Sequence, residues 1–427
     1  MTADPDLSAY WSGPWPGEDG GPRRLQVPGH GATVPVITAS TTADIVSRTD
    51  PVVTMVVVRD PGEVYLLRNT FGGGALISVV ERIDPSTLEV LGRSPDLVGG
   101  PMWPGSIAVH GNGSLYVVFG NHAHRLSPDL ELLASVELPH DCPYNGFVIL
   151  PDGTLITKDF AGSSPMKPVA ADERHPCELV ALDPDTLAIL DTCVLAEPSI
   201  ARLSSMGDDI YVVGDTSLLR VSWRDGHLVP DDTFRGTYRT MEGQTYGWDC
   251  VLTLGAAWFL DDGDGNSNFD GSFQGKGIST APLHLVRVDL ETAAVTLTDI
   301  CGLPGGLIAN PPLIDPDRQI ALGYDSGNGV MAAFDIGGDG TLTPRWTKTQ
   351  NHASHMILLA ESGVVITGDH SRDRMIDQVV AIDISTGDEL VRADTESPLQ
   401  AVVFPALGYD GTVYWCSMST VSRVRFS

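Results

Sequence analysis

Basic residues are scarce in this chain. Among 427 residues, 26 are Lys or Arg and 55 are Asp or Glu, a formal charge of −29. A surface this acidic repels phosphate backbones and anionic lipid, so nucleic-acid and membrane-surface roles are excluded, while cations and small molecules are tolerated. Long apolar runs are also missing; no window approaches the roughly 18 residues that span a bilayer. The first residues, MTADPDLSAYWSGPWPGEDGGPRR, lack a basic stretch followed by an apolar one, the pattern of an export leader. The six cysteines (Cys142, Cys177, Cys193, Cys250, Cys301 and Cys416) show no CxxC spacing. Without an export signal, reduced thiols and a cytoplasmic location are expected. There is no GxSxG, no P-loop and no HExxH, and no convincing helix-period segment.

What is present is a hairpin, repeated. Hydrophobic residues make up 42% of the chain, enough for a large core. Many of them fall in pairs of β-rich runs around Gly, Asp or Pro turns: TMVVVRDPGEVYLLRN, GSIAVHGNGSLYVVFGN, NGFVILPDGTLITKDF, IARLSSMGDDIYVVGD, DCVLTLGAAWFLDD, PPLIDPDRQIALGYD, SHMILLAESGVVITGDH and QAVVFPALGYDGTVYWCS. Each has the β-hairpin signature. After most copies come a third strand, a turn and a fourth strand, with turns expected at Asp84, Ser127, Asp183, Ser222, Asp289, Asp335 and Asp383. A four-stranded unit recurring at roughly 40–70-residue intervals predicts an all-β, closed β-propeller.

The eighth copy ends on TVSRVRFS, one strand short. An open blade leaves edge hydrogen bonds unpaired, so an N-terminal strand should complete it, with residues 32–40 (ATVPVITAS) as the best segment. The expected organisation is an N-terminal extension (1–31) and one propeller domain (32–427) of eight blades, seven being the alternative.

The blade sequences carry a family resemblance. AIDISTGDELV is similar to the blade motif of quinoprotein-like propellers: Ala381, Asp383, Thr386 and Gly387 match, while Val391 stands where a docking tryptophan is found. NGFVILPDGTL resembles blades of the senescence-marker/gluconolactonase and strictosidine-synthase-like propellers. The resemblance implies the fold and says little about activity. Quinone enzymes of that superfamily use a vicinal cysteine pair; none is present, which argues against pyrroloquinoline quinone. In the gluconolactonase-like families a metal is held by an acidic residue and asparagines at inner-strand starts, and Asn145 and Asn310 fit that placement.

Function is expected where inner strands begin and second strands end, because these meet around the channel mouth. Second-strand ends supply Asp159, Asp215, Asp325 and Asp369. The plainer reading is that each carboxylate caps a turn; the functional reading is a cation site or general base. Lys158, beside Asp159, is either a nucleophile or anion clamp, or a salt-bridge residue. His355, placed at the start of an inner strand, is the preferred ligand or acid/base over His352, which falls in a solvated connection; its removal is expected to spare the fold. His370 follows Asp369. His122 and His140 lie near the same mouth and allow a second possibility, a four-histidine non-haem iron site like that of carotenoid-oxygenase propellers. Trp103, Tyr144, Trp248, Tyr324 and Gln400 are expected to line a substrate pocket. In DGDGNSNFDG, Asp262 and Asp264 begin an alternation like that of linear calcium loops, without the closing Glu.

These residues predict an enzyme acting on a small molecule, with a metal-assisted hydrolase or lactonase as the nearest analogy and a divalent metal (calcium, or of the zinc/iron type) as cofactor. A lyase or isomerase on the same scaffold, and a non-catalytic protein- or peptide-binding propeller, are the alternatives.

Overall fold

The computed structural model describes residues 5–72, 75–99, 105–161, 169–170 and 173–427. Its strands form eight antiparallel four-stranded sheets. Seven are consecutive in sequence: blade 1 (53–93), blade 2 (106–137), blade 3 (144–194), blade 4 (204–237), blade 5 (251–299), blade 6 (313–349) and blade 7 (357–394). Inner strands of neighbouring blades touch, so the sheets stand around a common channel. Second strands such as Leu115–Phe119, Ala256–Leu260 and Ile320–Asp325 are buried along their whole length. They are packed on both faces, which is why they read as continuous apolar runs. Outer strands such as Ile189–Val194 are largely exposed.

Blade 8 closes the ring. Its outer strand is Ala43–Thr49, antiparallel to Thr420–Phe426 in a register running from Ala43↔Phe426 to Thr49↔Thr420. Closure by an N-terminal strand is as expected, but the segment is not 32–40. Pro35 interrupts that run and removes a ladder donor, and Val36 is 81% exposed. Residues 43–49 contain no proline and pair at all seven positions.

The turn expectations hold where Asp sits between strands three and four. Oδ1 of Asp84, Asp183, Asp289 and Asp383 accepts the backbone N–H groups two and three residues on. Two expected turns are displaced. Ser222 lies inside the strand Ser217–Arg224, and the chain reverses at Asp225 and Gly226, whose φ values are 52° and 80°. That Asp-Gly pair suits a hairpin turn needing two left-handed residues. Asp335 likewise lies inside Val330–Ile336, and the reversal follows at residues 337–341.

Candidate functional site

An inner strand presents an unpaired edge to the channel, and such an edge needs partners. Here the N-terminal segment supplies them. Val58 N–H donates to Trp15 O, Val109 N–H to Pro16 O, Ile149 N–H to the Tyr10 hydroxyl, Ser205 N–H to Pro22 O, Leu252 N–H to Arg23 O and Leu358 N–H to Gln26 O. Gln26 Nε2 donates to Pro312 O at 2.7 Å, and Thr33 N–H donates to Tyr409 O. One stretch of chain thus bonds to all eight blades. Three of its non-glycine residues, Asp19, Arg24 and Gln26, have φ between 51° and 59°, a conformation that costs about 1–3 kcal/mol each and persists only where surrounding contacts impose it.

This segment brings charge to the axis. Arg24 is 1% exposed and lies 2.5 Å from Glu18 Oε2, 2.9 Å from Asp19 Oδ2 and 3.9 Å from Asp249 Oδ2. Arg202 Nη1 is 2.6 Å from Glu18 Oε1, and Arg202 N–H donates to Asp249 Oδ1. His355 Nδ1 sits 2.7 Å from Asp19 Oδ1, with its ring stacked on Phe404 at 3.9 Å between centroids. Burial pushes the Asp19 carboxyl up, but His355 and Arg24 outweigh it and hold it below the usual range. At Asp249 burial wins over both arginines, and the pKa is raised.

His355 is therefore a buried partner of the N-terminal segment. The expectation that His352 is solvated is corrected too. It is 1% exposed, its Nδ1 meets the Thr367 hydroxyl at 2.8 Å, Tyr324 packs edge-on against it, and burial pushes its pKa down to about 3.

Several second-strand carboxylates cap backbone. Asp159 Oδ1 accepts Ala161 N–H, Asp325 Oδ1 accepts Leu307 and Asn328 N–H, and Asp369 Oδ1 accepts Asn351 N–H while Oδ2 meets Arg392 at 2.8 Å. Lys158 is 2% exposed; Nζ donates to Asp159 O and Ser199 O and lies over the Phe160 ring. It fastens blade 3 to the connection before blade 4. His370 bonds through Nε2 to Pro398 O, and burial lowers its pKa. Asn310 Nδ2 donates to Ala353 O and Val402 O, Tyr324 O–H to Asn310 O, and Gln400 Nε2 to Asn351. His122 Nδ1 pairs with Asn121 Oδ1. Asn145 lies in the inner strand Tyr144–Ile149, its side chain outside the described set. Trp103 lies outside the described residues.

The alternating acidic loop does not gather around one point. Asp262 Oδ1 accepts Thr245 N–H, Asp264 Oδ1 accepts the Tyr246 hydroxyl, and Asp270 pairs with Lys276. Nor do His122, His140, His352 and His355 form a ligand cluster among the described residues. Among the described residues, one trio of His, Cys, Asp or Glu ligand atoms comes within 4.8 Å of one another: Cys142, Asp159 and His175.

That trio lies where blade 3 opens onto the channel-mouth face. Cys142 precedes the inner strand, Asp159 ends the second strand Leu155–Asp159, and His175 precedes the third strand Glu178–Leu182. His140 adjoins it, with Nε2 2.9 Å from Glu178 Oε2 and 3.8 Å from Asp159 Oδ2. The Tyr144 hydroxyl accepts His140 N–H at 3.2 Å. The residue before His175 reaches elsewhere. Arg174 Nη1 is 3.1 Å from Asp215 Oδ1, and its guanidinium lies 4.4 Å above the Tyr246 ring. Tyr246 in turn stacks with Trp248 at 6.4 Å. Burial, aided by Glu197, pushes the Asp215 carboxyl up to about 6 against the pull of Arg174.

Of the residues singled out from sequence, Asp159 with His140, and Asp215 with Trp248, thus fall into adjacent groups. Cys142, Arg174, His175 and Glu178 were not among those residues. The signal was present in LPHDCPYNG and DERHPCE, two short stretches dense in ligand-type side chains.

No protein-family model matches the chain, and no curated protein does. Solved structures match it as folds. A quinohemoprotein alcohol dehydrogenase from Comamonas testosteroni is 13% identical, with 99% of this chain and 82% of that one covered and a TM-score of 0.63. A europium-containing methanol dehydrogenase is 10% identical, with 94% and 89% covered and a TM-score of 0.61. A quinohemoprotein alcohol dehydrogenase from Pseudomonas putida HK5 is 11% identical, with 98% and 80% covered and a TM-score of 0.59. The likeness is to quinoprotein-type propellers, and at these identities it is one of fold. Among the described residues no helix is long and apolar enough to cross a membrane.

Proposed function

We propose that the protein is an enzyme acting on a small molecule at the channel-mouth face over blades 3 to 5, by metal-assisted hydrolysis of a lactone or ester. One observation carries this reading. The consecutive residues Arg174 and His175 join a ligand-type group (Cys142, Asp159, His175) to an acid–base group (Arg174, Asp215) walled by Tyr246 and Trp248. The two groups are thus anchored on consecutive residues, whose Cα atoms are about 3.8 Å apart and whose side chains reach to different blades.

The chemistry follows from the residue types. A divalent ion held by Cys142, Asp159 and His175 would supply Lewis acidity toward a carbonyl or lower the pKa of water. Asp215, with a pKa near 6, is suited to take a proton at neutral pH. Arg174 holds that carboxylate in place and carries its charge when it is ionised. The absence of adjacent cysteines in the sequence leaves a quinone out of this reading.

The test is hydrolysis of a panel of lactones and esters, followed by proton release, for the wild-type protein, Asp215→Asn and His175→Ala. Turnover that needs added divalent metal and falls at least about 100-fold in both variants supports the reading. No turnover by fully metal-loaded protein, or turnover equal in all three, overturns it and leaves a binding propeller.

A further inference from the structure

We infer that Cys142, Asp159 and His175, with His140 as fourth ligand, form a site for one transition-metal ion of the zinc class. The inference deepens the proposed function, but the site stands on its own geometry. The ligand atoms of the first three residues already lie within 4.8 Å of one another. Tetrahedral zinc, with bonds of about 2.0–2.3 Å, sets its ligand atoms roughly 3.3–3.8 Å apart. The trio therefore needs a contraction of at most about 1–1.5 Å, within the reach of side-chain rotation.

Each ligand comes with a support. Asp159 is fully buried; Ala161 N–H holds its Oδ1 at 2.9 Å, and Oδ2 accepts Glu178 N–H at 3.4 Å and lies 3.8 Å from His140 Nε2. Such outer hydrogen bonds orient metal carboxylates. Cys142 is 5% exposed, at the end of a short turn in which its own N–H donates to His140 O. That turn carries His140 and Cys142 to the same side of blade 3. His175 is exposed and arrives from the connection between the second and third strands. Glu178 Oε2, 2.9 Å from His140 Nε2, is the outer carboxylate that orients this imidazole, which leaves Nδ1 as the nitrogen for the ion.

The donor set also names the metal class. Thiolate and imidazole are soft and borderline donors, which select zinc, cobalt or iron and are poor partners for calcium or magnesium. One thiolate, one carboxylate and two imidazoles would satisfy four-coordinate zinc, with His140 as the ligand at the rim. The calcium expected from the acidic loop is thus replaced by a different ion in a different blade.

The experiment uses the full-length protein, stripped with a chelator under reducing conditions and titrated with cobalt(II). Binding of one cobalt per chain with a near-ultraviolet thiolate-to-cobalt band is expected. The band should vanish in Cys142→Ser and persist in Cys193→Ser, a thiol on the outer strand of the same blade. His175→Ala changes an exposed side chain and spares the fold; it should weaken cobalt binding by more than about 100-fold, and Glu178→Gln by roughly 10-fold to 100-fold. The absence of stoichiometric cobalt, or a band that survives Cys142→Ser, overturns the site. A band that behaves as expected supports it even if no lactone or ester is turned over, in which case only the proposed reaction fails.

Discussion

Asp19 Oδ1 and His355 Nδ1 lie 2.7 Å apart on the channel axis, and each side chain is 1% exposed. The pair joins the N-terminal segment to blade 7. Removing the partner of a buried carboxylate strands it in a medium that solvates it poorly, at a cost of about 3–5 kcal/mol. Asp19→Ala and His355→Ala are both expected to destabilise the fold by about that amount in urea unfolding and to leave cobalt binding unchanged. A loss below about 1 kcal/mol in both would show that the axial charges hold nothing together.

Gln26 tests the same segment through neutral groups. Its Oε1 accepts Met356 N–H at 2.8 Å, and its Nε2 donates to Pro312 O at 2.7 Å. Gln26→Ala leaves a buried donor and a buried acceptor without partners, at about 1–3 kcal/mol each. The expected destabilisation is about 2–6 kcal/mol by urea unfolding, and a neutral substitution would contradict the bonding pattern.

Stability should also depend on pH in a definite direction. Burial pushes the Asp377 carboxyl up to about 7, while its oxygens accept Ala401 N–H and Trp415 Nε1–H. The folded state therefore holds a proton that the unfolded state, with a pKa near 3.8, has released. Stability from this group is present at low pH and is lost as pH rises from about 4 through about 7. Asp19 acts oppositely: its lowered pKa contributes stability above its unfolded pKa, lost as pH falls through the folded value. Thermal unfolding between pH 5 and pH 8 should show the first effect, with the slope reduced in Asp377→Asn. An unchanged slope would assign it to other groups.

For any hydrolysis found, the rate should rise with pH through about 6 as Asp215 ionises. Asp215→Asn should remove that limb of the pH–rate profile, whereas Asp19→Ala should not shift it. A limb that persists in Asp215→Asn would assign the proton to another group.

The fold was legible in the sequence because each second strand is buried on both faces and therefore reads as an apolar run ending at a turn. Closure was legible as well, since the last blade lacks a strand. The segment itself was misplaced because Val34, Val36 and Ile37 carry β-type side chains, while Pro35 denies the ladder a donor. The channel filling was not legible. PWPGEDGGPRRLQ has no periodicity, and its charges read as a solvated terminus until Gln26 is seen beside Met356 and Glu18 beside Arg202. The ligand trio was half legible. Asp159 ends a hairpin that can be read directly, but His175 and Cys142 meet it only because blade 3 brings two connections together at one edge.

Blade 3 is expected to carry a metal-centred site. Its most direct measurement is an anomalous-difference map from crystals of the full-length protein grown with zinc, recorded on both sides of the zinc absorption edge. The expected result is one strong peak bounded by Cys142 Sγ, Asp159 Oδ2 and His175, with His140 turned toward it. No peak there, or a peak only among Asp262, Asp264 and Asp270 of the acidic loop, would contradict the account.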